Sequence, residues 1–143
     1  MKLIYRSLNS FEEAEEAAKI EQESLSTAWS AKQIFEIPEY AVYFAAFDGN
    51  KLCGTASMYM IASEGQIMNI AVEKDYRRKG IALGLMKLLE QTALKNNCEN
   101  ITLEVAVNNS GAISLYEKCG YSAVGKRSNF YNSTDALIME KKL

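Results

Sequence analysis

No histidine occurs among the 143 residues, and this absence excludes a large share of enzyme chemistry. Without imidazole there is no Ser-His-Asp or Cys-His nucleophile and no His-ligated metal site. Acid–base work falls to Glu, Asp, Tyr, Lys or an amine of the substrate. Cysteine is scarce: Cys53, Cys98 and Cys119 are odd in number, far apart and without a C-x-x-C pair. That usage fits reduced thiols in a cytoplasmic protein and excludes a standard structural zinc site, so no metal is expected. No apolar run reaches the roughly 18 residues a membrane-spanning helix needs. The start of the chain, Met1 to Arg6, is too short for a signal peptide, and the residues after it are too polar. A net charge of −2 gives no basis for general affinity for nucleic acid.

What is present suits one globular domain over residues 1–143, with 48% hydrophobic and 24% charged residues. Residues 2–8 suggest a first strand. Ser10-Phe11-Glu12-Glu13 is a capping-box pattern opening a helix through Ala14, Ala17, Ala18 and Ile20. Residues 11–23 also hold Glu12, Glu13, Glu15, Glu16, Glu21 and Glu23 against Lys19 alone. This run reads as a solvated face, or more sharply as an attractor for a cationic substrate. Ser30-Ala31-Lys32-Gln33 is a second capping box, predicting a short helix to about Ile37 that ends before Pro38. Strands at 41–47 and 51–60 flank the hairpin signal Asp48-Gly49-Asn50. A turn at Ser63-Glu64-Gly65 leads to a strand at 66–72. A largely apolar helix from Gly80 to about Asn96 comes next and should lie against a sheet. Ile101, Leu103, Val105 and Val107 alternate with Thr102, Glu104 and Ala106 in a further strand. Asn109 starts a helix that stops at Cys119-Gly120, and strands near 121–127 and 135–140 close the chain. This order implies a mixed sheet flanked by helices.

The segment from Ile70 to Gly84 carries the clearest chemistry. A β-branched strand runs into the basic turn Arg77-Arg78-Lys79 and then into a helix that opens on Gly80. Unpaired N–H groups at the helix start, its dipole and the three cations make an anion site. Gly80 and Ala82 let a bulky group approach the backbone, so the implied ligand is a nucleotide or coenzyme with a pyrophosphate. There is no P-loop and no G-x-G-x-x-G. Glu104 has small neighbours on its strand face, so it reads as a general base or simply as an exposed strand glutamate. Tyr116 reads as a boundary residue, or as a phenol able to donate a proton to a leaving thiolate. Asn109 fits an N-cap whose amide can also meet a cofactor amide.

The spacing Arg77-x-x-Gly80-x-Ala82 resembles the pyrophosphate loop (Q/R-x-x-G-x-G/A) of the GNAT N-acetyltransferases. Leu103-Glu104-Val105-Ala106-Val107-Asn108-Asn109, with Ala112-Ile113-Ser114-Leu115-Tyr116 and Gly120-Tyr121, resembles the L-E-V-R-x-x-N-x-x-A-I-x-L-Y-x-x-x-G-F/Y signature of the ribosomal-protein alanine N-acetyltransferases (RimI-like). Asn69-Ile70-Ala71-Val72 matches that family's N-I-A-V, and Trp29-Ser30 its W-S. Arg127-Ser128-Asn129-Phe130-Tyr131 and Asp135-Ala136-Leu137-Ile138-Met139 are similar to its R-x-N-Y-Y and E-D-A-I-I-M. The similarity covers almost the whole chain, in order.

The resemblance implies an α/β (α+β) GNAT fold: one mixed, mostly antiparallel, twisted sheet of about seven strands with about four helices. It implies acetyl-CoA as co-substrate and a protein N-terminus as acceptor, here the N-terminal alanine of a small-subunit ribosomal protein. The enzyme would be cytoplasmic and a monomer or weak dimer, with no part for membrane or nucleic acid. Glu104 falls on the family's general base and Tyr116 on its general acid. Asn109 falls on the cofactor-contacting asparagine. Ile70, Ala71 and Val72 fall on the strand that holds the pantetheine arm. Arg78, Lys79, Gly80, Ile81, Ala82 and Leu83 fall on the pyrophosphate loop that Arg77 opens. Trp29, Phe130 and Tyr131 fall on the acceptor side. Three departures bear on the acceptor: Ala106 in place of arginine, Phe130 in place of tyrosine, and a short loop Asn132-Ser133-Thr134. Acetylation of a small-molecule amine and a non-catalytic acyl-CoA sensor are the rival readings.

Overall fold

The computed structural model describes residues 1–131 and 134–143, with backbone alone at 129–131. The elements run β1 (Leu3–Ser7), α1 (Phe11–Ser24), α2 (Ala31–Phe35), β2 (Ala41–Asp48), β3 (Lys51–Ile61) and β4 (Glu64–Val72). After a 3₁₀ turn at Lys74–Tyr76 come α3 (Ile81–Lys95), β5 (Asn100–Ala106), α4 (Ser110–Lys118), β6 (Ser122–Tyr131) and β7 (Thr134–Lys142). The seven strands form one sheet in the order β1-β2-β3-β4-β5-β7-β6. Every pairing is antiparallel except β4 with β5. Among the described residues no helix is long and apolar enough to cross a membrane.

Both expected serine N-caps form. Ser10 accepts from the Glu13 N–H, and Ser30 completes a reciprocal capping box with Gln33. The Glu13 carboxylate does not close the first box on Ser10. It accepts instead from the Asn9 N–H at 2.7 Å and pairs with Arg6 at 2.7 Å. Several boundaries differ from expectation: α2 ends at Phe35, the β3–β4 turn sits at Ala62 and Ser63, β5 ends at Ala106 and β6 continues to Tyr131. Both turn residues have positive φ, 51° and 66°, the conformation a two-residue hairpin of right-handed twist requires, and neither is the Gly that marks such turns in sequence.

Two apolar layers sandwich the sheet. On one face Ile81, Leu85, Met86 and Leu89 of α3 pack with Ile101, Leu103 and Val105 of β5, and Ile113 and Tyr116 of α4 border that cluster. On the other face Ala14, Ala17 and Ala18 of α1 and Ile34 of α2 pack on Tyr43, Ala45, Phe47 and Ala71. Alternation along β5 therefore sends Leu103 toward α3 and Glu104 toward the α1–α2 side.

The strands next to the site part company early. β4 and β5 share only three pairs, Glu64↔Asn100, Gly65↔Ile101 and Gln66↔Thr102. Across β3, Ser57 faces Asn69 while Met58 faces Ile67, leaving Met68 as an extra residue in β4. Such a bulge bends its strand and raises its twist. It sits two residues beyond the last β4–β5 pair, so β4 turns away while β5 continues to Ala106, and a slot about 13 Å long opens between them.

Gly54 of β3 sets how closely the start of α3 approaches the sheet. A β-carbon there would lie 2.8 Å from Ile81 Cγ2 and 3.3 Å from Leu85 Cδ1. Gly54→Ala is expected to cost about 1–3 kcal/mol by chemical denaturation, the usual scale for overpacking a full core. It should also weaken coenzyme binding at the displaced helix start, as read by calorimetry. Unchanged affinity would mean that the α3 start does not depend on this contact.

Candidate active site

The slot between β4 and β5 holds a cavity of about 300 Å³. Its walls are Ile67–Ile70 of β4 and Leu103–Ala106 of β5; Ser24–Thr27 after α1 line one side, and Asn109, Ala112 and Tyr116 line another. Glu104 reaches it from the α1–α2 face of the sheet and Tyr116 from the α3–α4 face. The slot is therefore a passage through the sheet, with a carboxylate and a phenol entering from opposite sides. The Tyr116 ring is braced edge-on by Tyr121, with centroids 6.3 Å apart.

The β4 wall offers backbone donors. Asn69 donates its N–H to Ser57 Oγ and Glu73 donates its N–H to Cys53 O, both toward β3. Alternation then turns the N–H groups of Ile70 and Val72 to the slot, where β5 no longer pairs with them. The Ala71 side chain is buried under α1, so this residue can serve the site only through its position in the strand.

Beyond β4 comes the segment for which the sequence predicts an anion site. Arg78, Lys79 and Gly80 are exposed, and Arg78 and Gly80 take left-handed φ of 62° and 81°. For arginine that conformation costs about 1 kcal/mol. The first bond of α3 runs from Gly84 N–H to Gly80 O, and no side chain among the described residues caps the helix. The N–H groups of Ile81, Ala82 and Leu83 are left for a ligand. A β-carbon on Gly80 would touch nothing within 4 Å, so the approach is open. The Ile81 side chain is 1% exposed and faces the core, leaving only its backbone for the ligand. Open donors, a positive helix end and two exposed cations fit the diphosphate of a coenzyme.

Arg77 is differently placed from a phosphate ligand. Its Nε donates to Val72 O at 3.1 Å and its guanidinium donates to Ser24 Oγ at 3.0 Å. It ties the last residue of α1, the end of β4 and the anion loop into one joint. Asn109 caps α4, accepting from the Ala112 N–H at 3.2 Å, and also lines the cavity, so its two expected roles coincide in place.

A second cavity of about 190 Å³ adjoins the first on the α1–α2 side. Thr27, Trp29, Gln66, Met68, Glu104 and Arg127 are among its walls. Trp29 stacks on Tyr59, with centroids 6.0 Å apart and planes at 25°. Glu104 belongs to both cavities; its side chain is 16% exposed and pairs with Arg127 at 2.7 Å. The side chains of Phe130 and Tyr131, and the loop residues Asn132 and Ser133, lie outside the described residues.

The wall shared by the two cavities rests on a buried polar cluster, and here one expectation is corrected. Glu21 is not part of an acidic solvent face: it is wholly buried. Tyr43 donates its hydroxyl to Glu21 Oε2, while Asn69 Nδ2 and the Trp29 N–H donate to Oε1 at 2.8 and 3.0 Å. Thr27 donates to Asn69 Oδ1 at 3.0 Å. Burial pushes the Glu21 carboxyl up, against the pull of its three hydrogen-bond donors. Burial also pushes the Tyr43 phenol well above its ordinary value, with the Glu21 charge adding to the effect. The 3.6-residue period that places Ala14, Ala17 and Ala18 inward also brings Glu21 inward, a signal in the sequence that its acidic neighbours mask.

Comparison with known proteins identifies the family to which this fold belongs. The sequence profile of the acetyltransferase (GNAT) family matches residues 4–121. The chain is 32% identical over 128 residues to the [ribosomal protein bS18]-alanine N-acetyltransferase of Escherichia coli, with 86% of each chain covered. It superposes on the crystal structure of the E. coli ribosomal-protein alanine N-acetyltransferase with a TM-score of 0.88 at 29% identity, covering 99% of this chain and 94% of that one. A chain of the NatC complex bound to Gag peptide and CoA gives a TM-score of 0.87 at 27% identity, covering 100% and 99%.

Glu21→Gln keeps a hydrogen-bonding group in the cluster and removes the buried charge. The folded Glu21 carboxyl holds its proton to higher pH than the unfolded one. The stability it contributes is complete below the ordinary glutamate range and is lost as pH rises through the raised folded value. Across that window the variant should therefore gain stability relative to the parent. A denaturation series from about pH 4 to pH 8 tests this, and a pH-independent difference would exclude the buried charge as its source.

Proposed function

The chain belongs to the acetyltransferase (GNAT) family and is an acetyl-CoA-dependent N-acetyltransferase, and on that premise we propose that its acceptor is the α-amine of a protein N-terminus, namely the N-terminal alanine of a small-subunit ribosomal protein. The observation that carries this reading is the position of Glu104 and Tyr116: they line one cavity from opposite faces of the sheet. The second cavity, with Trp29 and Arg127, supplies an acceptor entrance on the Glu104 side. Similarity to the E. coli enzyme over 86% of both chains supports the acceptor class.

Acetyl-CoA supplies an activated thioester carbonyl whose sulfur is a good leaving group. The rest is done by this chain. Arg78, Lys79 and the first N–H groups of α3 hold the diphosphate. Ile70 and Val72 present backbone donors along the slot, and one of them donates to the acyl oxygen as charge builds on it. Asn109 bonds an amide of the coenzyme arm. Glu104, through a water, takes a proton from the acceptor's α-ammonium and leaves a neutral amine nucleophile. Tyr116, on the far side of the slot, gives its proton to the departing sulfur and recovers one, through water, as the attacking nitrogen sheds its second proton on becoming an amide. Base and acid on opposite faces suit direct transfer with both substrates bound, and no protein nucleophile is needed.

Glu104→Gln and Tyr116→Phe should each lower kcat by roughly 10²–10⁴-fold, the scale for general acid–base groups. Mass spectrometry after incubation with acetyl-CoA and an alanine-initiated peptide from a small-subunit ribosomal protein provides the assay. One acetyl group gained at the α-amine, and lost in Glu104→Gln, is the expected result. Transfer to polyamines or amino sugars but not to the peptide would move the acceptor to small molecules. Coenzyme binding without transfer to any amine would make the chain a sensor. Near-normal kcat in both variants would remove the assigned roles.

A further inference from the structure

Arg127 lies on β6, the outermost strand, two strands from Glu104. In the register it faces Ala136 of β7, which faces Ala106 of β5. Directly opposed residues project to the same face, so Arg127, Ala136, Ala106 and, two residues back along β5, Glu104 share a face. The small Ala136 faces Arg127 on β7, and the guanidinium spans β7 on a diagonal to reach Glu104 Oε1 at 2.7 Å. Arg127 lines the second cavity but not the first, whereas Glu104 lines both. The Arg127 side chain is 57% exposed and that of Glu104 16%, so solvent screens the pair from one side and its contribution to folding is modest.

We propose that Arg127 is a positioning residue for acceptor deprotonation: its guanidinium fixes the Glu104 carboxylate at the wall between the two cavities, where the acceptor amine must pass. The inference rests on the reading of Glu104 as the base. In the step concerned, the proton leaves the ammonium nitrogen and ends, through a water, on Glu104, while Arg127 neither gives nor takes one. The contribution of Arg127 is geometric. A glutamate has several rotatable bonds, and a base held in its productive place avoids the loss that misplacement by about 1 Å brings, on the order of 10²-fold. Arginine suits the task because its planar, rigid donor set fixes the direction of a carboxylate, which a lysine ammonium does less well.

The test uses Arg127→Ala, Arg127→Lys, Glu104→Gln and the Arg127→Ala/Glu104→Gln double variant, assayed with acetyl-CoA and an alanine-initiated peptide. Arg127→Ala is expected to lower kcat by roughly 10–100-fold, with the peptide KM nearly unchanged. Arg127→Lys should recover part of that loss. In the Glu104→Gln background Arg127→Ala should have no further effect, the signature of two residues acting as one unit. Acetyl-CoA affinity by calorimetry and Tm should match the parent, and NMR relaxation in the coenzyme-free protein should show a more mobile Glu104 side chain in Arg127→Ala. Parental kcat in Arg127→Ala, a loss confined to KM, or an undiminished loss in the Glu104→Gln background overturns the proposal and leaves the acetyltransferase reading intact. Parental activity in Glu104→Gln alone overturns the base assignment, and the role of Arg127 with it.

Discussion

The parting of β4 from β5 after three residue pairs is the constraint on which the rest of the site depends. Had the parallel pairing continued, the N–H groups of Ile70 and Val72 would be spent on β5, and Glu104 and Tyr116 would be separated by continuous sheet. The cause is local. One residue more in β4 than in β3, at Met68, bends β4 away just beyond Gln66↔Thr102. The apolar layers then fix the bent strand in place: Ile67 of β4 packs in the α3-side cluster with Leu103 and Val105 of β5, while Ala71 packs in the α1-side cluster.

Holding such a gap open requires rigid walls, and the chain uses polar groups for the purpose on the α1–α2 side. Glu21 gathers Tyr43, Asn69 and Trp29, so α1, β2, β4 and the loop before α2 meet at one carboxylate. A buried carboxylate met by neutral donors is costly, and its benefit lies in specifying geometry more than in stability. Arg77 adds an outer tie from Ser24 to Val72. The loop before α3 and the wall of the second cavity are thereby parts of one framework, although they lie on different elements.

The elements were largely legible in the sequence because each carries a local signal: period-two alternation in β5, serine caps before α1 and α2, Gly120 after α4, and the Asp48-Gly49-Asn50 hairpin. The anion loop was legible because its glycine and cations are contiguous. Long-range facts were not. The bulge at Met68 exists only relative to β3, and no residue in β4 announces it. The Glu104–Arg127 contact crosses two strand pairings whose register the sequence does not state. Glu21 was misjudged because its acidic neighbours resemble it in type while differing from it in direction. Arg77 fell inside a phosphate-loop pattern, yet its guanidinium is engaged by Ser24 and Val72, contacts set by where α1 ends.

An open sheet ordinarily has two edges, and proteins take care to blunt them because unpaired backbone invites foreign strands. By ending the β4–β5 ladder early, this chain acquires two more, facing each other inside the sheet. The space between them is the cavity of about 300 Å³ that Glu104 and Tyr116 line. The pantetheine arm of the coenzyme is a slender chain bearing amide groups. On the proposed reading of the site it lies along the slot in the place of a missing strand, and the loaded enzyme regains the two edges of an ordinary sheet.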